Sequence, residues 1–351
     1  MKSWKLTGLN QMEMQEVPDP GTPGKGELLL KVEVVGVCGS DIHYYNTGRI
    51  GEQVVQYPFT VGHECAATVI ETGVQTEGFS PGDRVAVDPA MPCYKCDQCR
   101  QGRVHTCRNL KFLGCPGQSE GCLSEMIIMP SRSCFKIPDR MSFAEAAFAE
   151  PLSIGYYAVQ LSRIRQGDNI AVLGVGPIGD SVLISACEAG AGNIYATDKI
   201  DRRLEIALAL GATEVFNADK HNPVNGIISI EEAMLDIVYE CCGQQEAFDQ
   251  AIELLKPGGK LMIVGIPEFE KWSFRADHAR RKEITIEHVR RQNESMQPAL
   301  DLIREGKVQT GNLITHTFPF EKSKEAFDLV ASYGDGVLKA LIDLRLKITL
   351  R

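Results

Sequence analysis

The sequence predicts an α/β protein of two domains, a mostly antiparallel β domain and a doubly wound parallel sheet. Three observations carry that prediction. Up to about residue 141, short apolar runs are punctuated by Gly and Pro, and no helical period of useful length appears. From Ser142 to about Arg291, apolar strands alternate with helical stretches, the βαβ order of a sheet covered on both faces. A glycine-rich turn, Gly174-Val-Gly-Pro-Ile-Gly179, joins an early strand of that series to a helix.

The elements follow in order. Leu28-Leu-Leu-Lys-Val-Glu-Val-Val35 makes Glu27–Gly36 a strand, and Ala66–Glu71, Arg84–Val87 and Leu123–Met129 are shorter ones. Pro81-Gly-Asp83 is a turn between two of them. Ser142-Phe-Ala-Glu145 fits a capping box opening a helix that ends near Glu150-Pro151, and a second helix covers about Leu152–Leu161. Strands at Asn169–Leu173, Asn193–Thr197, Val215–Asn217, Asp236–Glu240 and Lys260–Val264 alternate with helices at Ile178–Ala189, Asp201–Leu210 and Glu246–Leu255. Helix Gln297–Glu305 and strand Leu338–Leu344 have no place in that series and are expected to return to the first domain. The expected division is 1–151, with a cysteine lobe at 90–110, then 152–291, then 292–351.

The chain has 351 residues, 44% hydrophobic and 24% charged, enough for two soluble globular domains. A net charge of −9 argues against a nucleic-acid or general polyphosphate surface. Arg280-Arg281-Lys282 and Arg290-Arg291 are too local to overturn that, and read as solvated faces or subunit contacts. The N-terminus lacks an apolar signal-peptide core, and no apolar run reaches the ~20 residues that span a bilayer. A cytoplasmic protein with no membrane partner is expected. In that setting twelve cysteines suggest metal thiolates before disulfides.

In the glycine turn, Gly174 permits the tight bend, Gly176 lets backbone approach a pyrophosphate, and Gly179 allows close helix–strand packing. The helix starting at Pro177 and Ile178 would present free N–H groups to the phosphates. The turn therefore predicts a Rossmann dinucleotide site. Asp198 ends the next strand, where an acid accepts bonds from ribose hydroxyls and repels a 2′-phosphate, favouring NAD over NADP. Asp201 is assigned to capping the following helix, which leaves Asp198 free for the ribose. Lys199, Arg202 and Arg203 are nearby cations, and Arg203 is counted with the cofactor residues.

Cys93, Cys96, Cys99 and Cys107 form C-x2-C-x2-C-x7-C among polar residues, the spacing of a closed, structural zinc site, with an iron–sulfur cluster as the alternative. Such a metal would hold a weakly cored lobe together. A second set is dispersed: Cys38 in Cys-Gly-Ser-Asp-Ile-His, His63-Glu64 after Gly62, and Glu150 before Pro151. One thiolate, one imidazole and a few carboxylates suit a catalytic zinc with an open position. The remaining cysteines, Cys65, Cys115, Cys122, Cys134, Cys187, Cys241 and Cys242, read as packing.

These residues resemble the zinc-dependent medium-chain dehydrogenase/reductase superfamily over nearly the whole chain. Within it, Cys38-Gly-Ser-Asp-Ile-His-Tyr-Tyr45, Gly48-Arg-Ile-Gly51 and Glu150-Pro151-Leu152 are most similar to the sorbitol, xylitol and L-iditol dehydrogenases. The resemblance implies a GroES-like catalytic domain with a Rossmann cofactor domain, two zincs per chain, NAD, and a dimeric or tetrameric homo-oligomer. It implies zinc held by Cys38 and His63, with Glu64 and a water completing the shell. Glu150 would be a further ligand or hold that water. Ser40 would take the alcohol proton, His43 would pass it on, and Asp41 would orient His63. Thr47 stands where animal sorbitol dehydrogenases have Tyr, Arg291 matches a substrate-binding Arg, and Gln292 replaces the Tyr after it. Thr47, Arg291 and Gln292 are thus the expected substrate residues.

The implied chemistry is hydride transfer between NAD and a zinc-bound secondary alcohol, with a polyol giving a ketose. Other substrates of the same chemistry are threonine, butanediol or a sugar-acid hydroxyl. A zinc-free reductase would lack the Cys38, His63 and Glu64 set. A non-catalytic NAD- or zinc-binding protein would have no need of Ser40 and His43.

Overall fold

Strand β1 (Glu27–Gly36) centres the first sheet of the computed structural model, which describes residues 1–347. After β1 the chain turns through Val37 and Cys38 into helix α1 (Gly39–Thr47), a departure from the expectation of no helix before Ser142. Its signal is not periodicity but capping. Asp41 accepts from the Cys38 N–H at 3.2 Å, and Gly48 closes the helix in the left-handed region at φ 71°. Asp41, Tyr44 and Tyr45 are buried, so polar and aromatic groups replace the apolar stripe that sequence periodicity detects.

Strands β2 (Glu64–Thr72) and β3 (Arg84–Val87) continue antiparallel from β1, β4 (Met126–Pro130) also pairs with β1, and β5 (Cys134–Lys136) pairs with β3. Leu28, Leu30, Val32 and Val35 of β1 meet Val69, Val85, Val87 and Met129 in the core. Helix α2 (Phe143–Ser162) then runs unbroken through Pro151, where two helices were expected. The Ser142–Glu145 box forms as read: the Ser142 N–H donates to Glu145 at 2.7 Å and the Glu145 N–H to Ser142 Oγ at 3.1 Å. Pro151 removes only the bond to the carbonyl four residues earlier. Phe148, Ala149 and Leu152 on either side are fully buried, so packing outweighs that local loss.

By contacts the chain divides into two units, Met1–Glu150 with the segment from Met296 onward, and Pro151–Ser295. In the second unit the strands are β6 (Ile170–Leu173), β7 (Ile194–Asp198), β8 (Glu214–Asn217), β9 (Leu235–Glu240), β10 (Leu255–Ile263) and β11 (Thr285–His288). Their order is β8-β7-β6-β9-β10-β11 and all pairs are parallel, a doubly wound sheet whose direction of growth reverses beside β6. Helices α3 (Pro177–Glu188), α4 (Asp201–Ala209), α5 (Pro223–Ile230), α6 (Gln245–Leu254) and α7 (Ala276–Arg281) cover it. Ile170, Val172 and Tyr239 pack with Val182 and Leu204 on one face, while Leu173 and Val238 pack with Phe248 and Ile252 on the other. Of these elements the sequence reading missed α5, α7 and β11. Gly155 of α2 lies against Ser181 and Val182 of α3 so closely that a Cβ would overlap backbone.

Beyond Ser295, α8 (Met296–Arg304), β12 (Ile314–Pro319), α9 (Ser323–Ala331) and β13 (Lys339–Asp343) belong to the first unit. Strand β13 pairs antiparallel with β1, Leu341 opposite Gly36, and parallel with β12. Residues 348–351, the end of the expected 292–351 segment, lie outside the described residues. Among the described residues no helix is long and apolar enough to cross a membrane.

Candidate active site and cofactor loop

The β1–β2 register assembles the first metal-ligand set. Gly36 lies opposite Glu64, so the turn after β1 carrying Cys38 meets the residues entering β2. One ligand atom from each of Cys38, His63 and Glu64 lies within 4.8 Å of the others. A side chain at Gly36 would strike the Glu64 carboxylate, which explains a glycine at this point of the strand. Asp41 is fully buried, with Oδ1 3.4 Å from His63 Nδ1 and accepting from the Gly62 N–H at 3.2 Å. Burial disfavours the charged imidazole of His63, yet Asp41 and Cys38 outweigh it and hold its pKa well above the usual value. Ser40 Oγ donates to Cys38 Sγ at 3.4 Å. His43 lies one turn further along α1.

Glu150 does not join the three converging ligand atoms. It is buried, and burial pushes its carboxyl up to about 8; His63 opposes that shift and Glu64 adds to it. Sequence reasoning missed a further member, Lys339 at the start of β13. Its side chain is 1% exposed, forms an ion pair with Glu64 Oε2 and donates to the Val37 carbonyl at 3.2 Å. Burial lowers the Lys339 pKa, but Glu64 and Cys38 raise it beyond that loss, so the ammonium stays charged. A lysine inside an apolar strand was the signal available. The partner lies far off in the chain and was not.

The thiols of Cys93, Cys96, Cys99 and Cys107 also converge, with ligand atoms within 4.8 Å of one another. Helix Asp97–Arg100 spaces Cys96 and Cys99, whose sulfurs are 3.5 Å apart. Arg108 clamps Asp97 through bonds of 2.5 and 2.8 Å. Cys93, approached by the Lys95 backbone N–H, is lowered to about 6, while burial and the sulfurs of Cys96 and Cys107 push Cys99 up to about 12. Four thiols at one point cannot all ionise without a cation. The donor chemistry fits zinc at both places: a closed tetrathiolate here, and three mixed donors with room for a fourth at Cys38, His63 and Glu64.

In the second unit Gly174 adopts φ 92° and a Cβ there would lie 2.7 Å from Cys242 Cβ. Cys242 is exposed, not packed as expected. Gly179 abuts the Gly174 carbonyl, and Gly176 caps α3 with Pro177 at its first position and Ile178 next. A Cβ on Gly176 would meet only Arg203 Nη1, at 3.6 Å, so the loop is open to a ligand on that side. Asp198 Oδ2 accepts from the Val175 N–H and Oδ1 from the Ile200 N–H, both at 3.0 Å. Asp201 does not cap α4, whose N-cap is Ile200 without a side-chain bond; its carboxylate instead takes Asn217 Nδ2 and Lys220. Lying inside the first turn, it faces the β8 end while Asp198 satisfies the Ile200 donor. The open glycine, the free helix start and the acid at the next strand end fit a dinucleotide.

The expected substrate residues are spread over both units. Thr47 is exposed and its hydroxyl reaches the His43 carbonyl at 2.8 Å, closing α1. Arg291 adopts φ 56°, and Gln292 is buried with its side-chain oxygen accepting from the Ser295 N–H at 2.9 Å.

Comparison with known proteins bears on this chemistry. Residues 24–139 match the alcohol dehydrogenase GroES-like domain family, and residues 177–305 the zinc-binding dehydrogenase family. The chain is 33% identical to a sorbitol dehydrogenase of Bacillus subtilis (strain 168), covering 97% of each protein. It is 33% identical to an L-idonate 5-dehydrogenase of Vitis vinifera, covering 96% of this chain and 93% of the other. An alcohol dehydrogenase from Thermus sp. ATN1 superposes with a TM-score of 0.91 at 28% identity, covering 98% of this chain and 100% of that one. With two zinc-suited donor sets and a dinucleotide loop already placed, these matches make the chain a member of the zinc-binding alcohol dehydrogenase family, within the medium-chain dehydrogenases.

Proposed function

We propose that the protein is an NAD-dependent polyol dehydrogenase, oxidising a secondary hydroxyl of a substrate such as sorbitol, xylitol or iditol to a ketose. The observation that carries this reading is the convergence of Cys38, His63 and Glu64, with Ser40 beside Cys38 at the start of α1. Zinc held there would supply Lewis acidity to the alcohol oxygen, and NAD held at Gly174–Gly179 would accept the hydride. Ser40 takes the hydroxyl proton and His43, one turn away on α1, carries it outward. Asp41 fixes the His63 ring through Nδ1, leaving the other nitrogen for metal. Glu150, a buried carboxyl outside the three converging donors, holds water or a substrate hydroxyl. Cys93, Cys96, Cys99 and Cys107 hold a structural zinc.

On this reading the first unit is catalytic and the second binds the cofactor. Thr47, Arg291 and Gln292 contact the polyol, since a pocket built on hydrogen bonds rejects analogues lacking hydroxyls. The enzyme acts in the cytoplasm as a dimer or tetramer of identical chains, with no nucleic-acid partner. A sugar-acid hydroxyl is the second reading, favoured by the likeness to an L-idonate 5-dehydrogenase and by the cation of Arg291. The test is NADH formation by purified protein over a panel of polyols, sugar acids, threonine, butanediol and simple secondary alcohols. Preference for sorbitol, xylitol or iditol supports the proposal. Reaction with only amino alcohols or unsubstituted alcohols overturns the substrate class and leaves the redox chemistry standing.

A further inference from the structure

One buried acid in the second unit has no part in the mechanism above. Asp180 follows the third glycine of the cofactor loop, in the first turn of α3, and is 0% exposed. Neither of its carboxylate oxygens has a hydrogen-bond partner. Leaving such a group unpaired in an apolar setting is costly. A native chain keeps such a group when something else comes to satisfy it.

The charged groups around Asp180 indicate what that is. Burial holds its carboxyl well above the usual range, the Arg203 guanidinium of α4 opposes that shift, and Asp198 at the end of β7 adds to it. Just after β9 the nearby titratable group is the Cys241 thiol, itself raised chiefly by burial. Arg203 Nη1 lies 3.9 Å from Asp198 Oδ2 and at the open side of Gly176. One guanidinium is thus set among the loop and two acids, and in this structure it leans towards Asp198.

The two oxygens of Asp198 are also where a ribose diol would donate. Each already accepts a backbone N–H, so a bound ribose competes directly with Arg203 for the remaining acceptor sites. We infer that Asp180 is a second anchor for Arg203, taken up when an adenosine ribose occupies Asp198, and that this inward pull keeps the guanidinium from serving a 2′-phosphate. The arriving cation favours the ionised carboxyl, whose proton leaves to solvent, and the pair then gains the strength of a charge-assisted contact away from water. Asp180 would therefore be a selectivity residue for NAD acting through Arg203. The inference rests on the dinucleotide reading of the Gly174–Gly179 loop.

The experiment is a fluorescence titration of NADH and of NADPH against full-length wild type, Asp180→Asn, Asp180→Leu, Arg203→Gln and the Asp180→Leu/Arg203→Gln double variant. Asn keeps the volume of the side chain and Leu removes its polarity, so at least one is expected to fold, as thermal melting will show. Wild type should favour NADH, and Asp180→Leu should shift the NADPH-to-NADH affinity ratio towards NADPH by at least about fivefold, the lower end of measured site couplings. That shift should vanish in the Arg203→Gln background. An unchanged ratio in both Asp180 variants, or a shift that persists without Arg203, overturns the inference while leaving the cofactor reading intact. Wild type that binds neither dinucleotide overturns both.

Discussion

Replacing Lys339 with Met tests how the proposed metal donors Cys38, His63 and Glu64 are held. The ammonium is 1% exposed, as is the Glu64 carboxylate it faces, and it also satisfies the Val37 carbonyl next to Cys38. Met keeps the unbranched stem of the side chain but leaves a buried carboxylate without its counter-charge. Removing one partner of a buried pair costs roughly 3–5 kcal/mol, several times the worth of a surface pair. For a domain of this size each kcal/mol moves the melting midpoint by about 2–4 °C, so the metal-free protein should melt roughly 6–20 °C lower. Zinc at Cys38, His63 and Glu64 would itself neutralise Glu64. The loss should therefore be smaller in zinc-loaded protein, and Lys339→Met/Glu64→Gln should recover much of it. The assay is reversible denaturation of Lys339→Met, Glu64→Gln and the double variant against wild type, with and without saturating zinc, combined as a double-mutant cycle. A Lys339→Met protein within about 0.5 kcal/mol of wild type when metal-free would refute the argument, because surface substitutions show changes of that size.

Three further outcomes follow from the same geometry. Cys38→Ser should lower bound zinc from two per chain to one and abolish turnover, with the Cys93 lobe retaining its metal; elemental analysis reads the first and NADH formation the second. Asp198→Ala removes the acceptor for two backbone N–H groups as well as for the ribose, so NADH should bind about tenfold or more weaker, and NADPH should lose less. Glu150 has a folded pKa of about 8 against an ordinary 4.5, so its neutral form stabilises the metal-free protein below pH 4.5 and that contribution is lost as pH rises to about 8. Glu150→Gln should flatten this fall, worth up to roughly 5 kcal/mol, and a stability–pH curve unchanged by the substitution would count against a protonated Glu150.

How much of this was legible beforehand differs by element. Strands β1 and β3 carry their own β-branched alternation and matched the sequence reading to the residue, and the Ser142–Glu145 box was written in four adjacent letters. Helix α1 was not legible, because it is a short capped helix with Asp41 and Tyr45 buried where an apolar stripe would be. Pro151 misled for the opposite reason. A local breaker was read as decisive, and the burial of Phe148 and Leu152 overrode it. Asp201 looked like a cap because its position suits one, but the choice between Asp198 and Asp201 depended on which acid the neighbouring strand ends left free.

By itself the sequence determined the chemistry available: which thiols, imidazoles and carboxylates exist, the spacing that makes four cysteines a metal set, and the glycines that open a phosphate loop. Those are properties of residue type and short separation, and they survive without knowledge of long-range pairing. Tertiary structure decided which charges meet. Lys339 reaches Glu64 because β13 pairs with β1, and Arg203 stands near both Asp198 and Asp180 because β6 and β7 are neighbours with helices on the same side. Electrostatic interactions depend on distance and burial, and neither is written in any one stretch of chain.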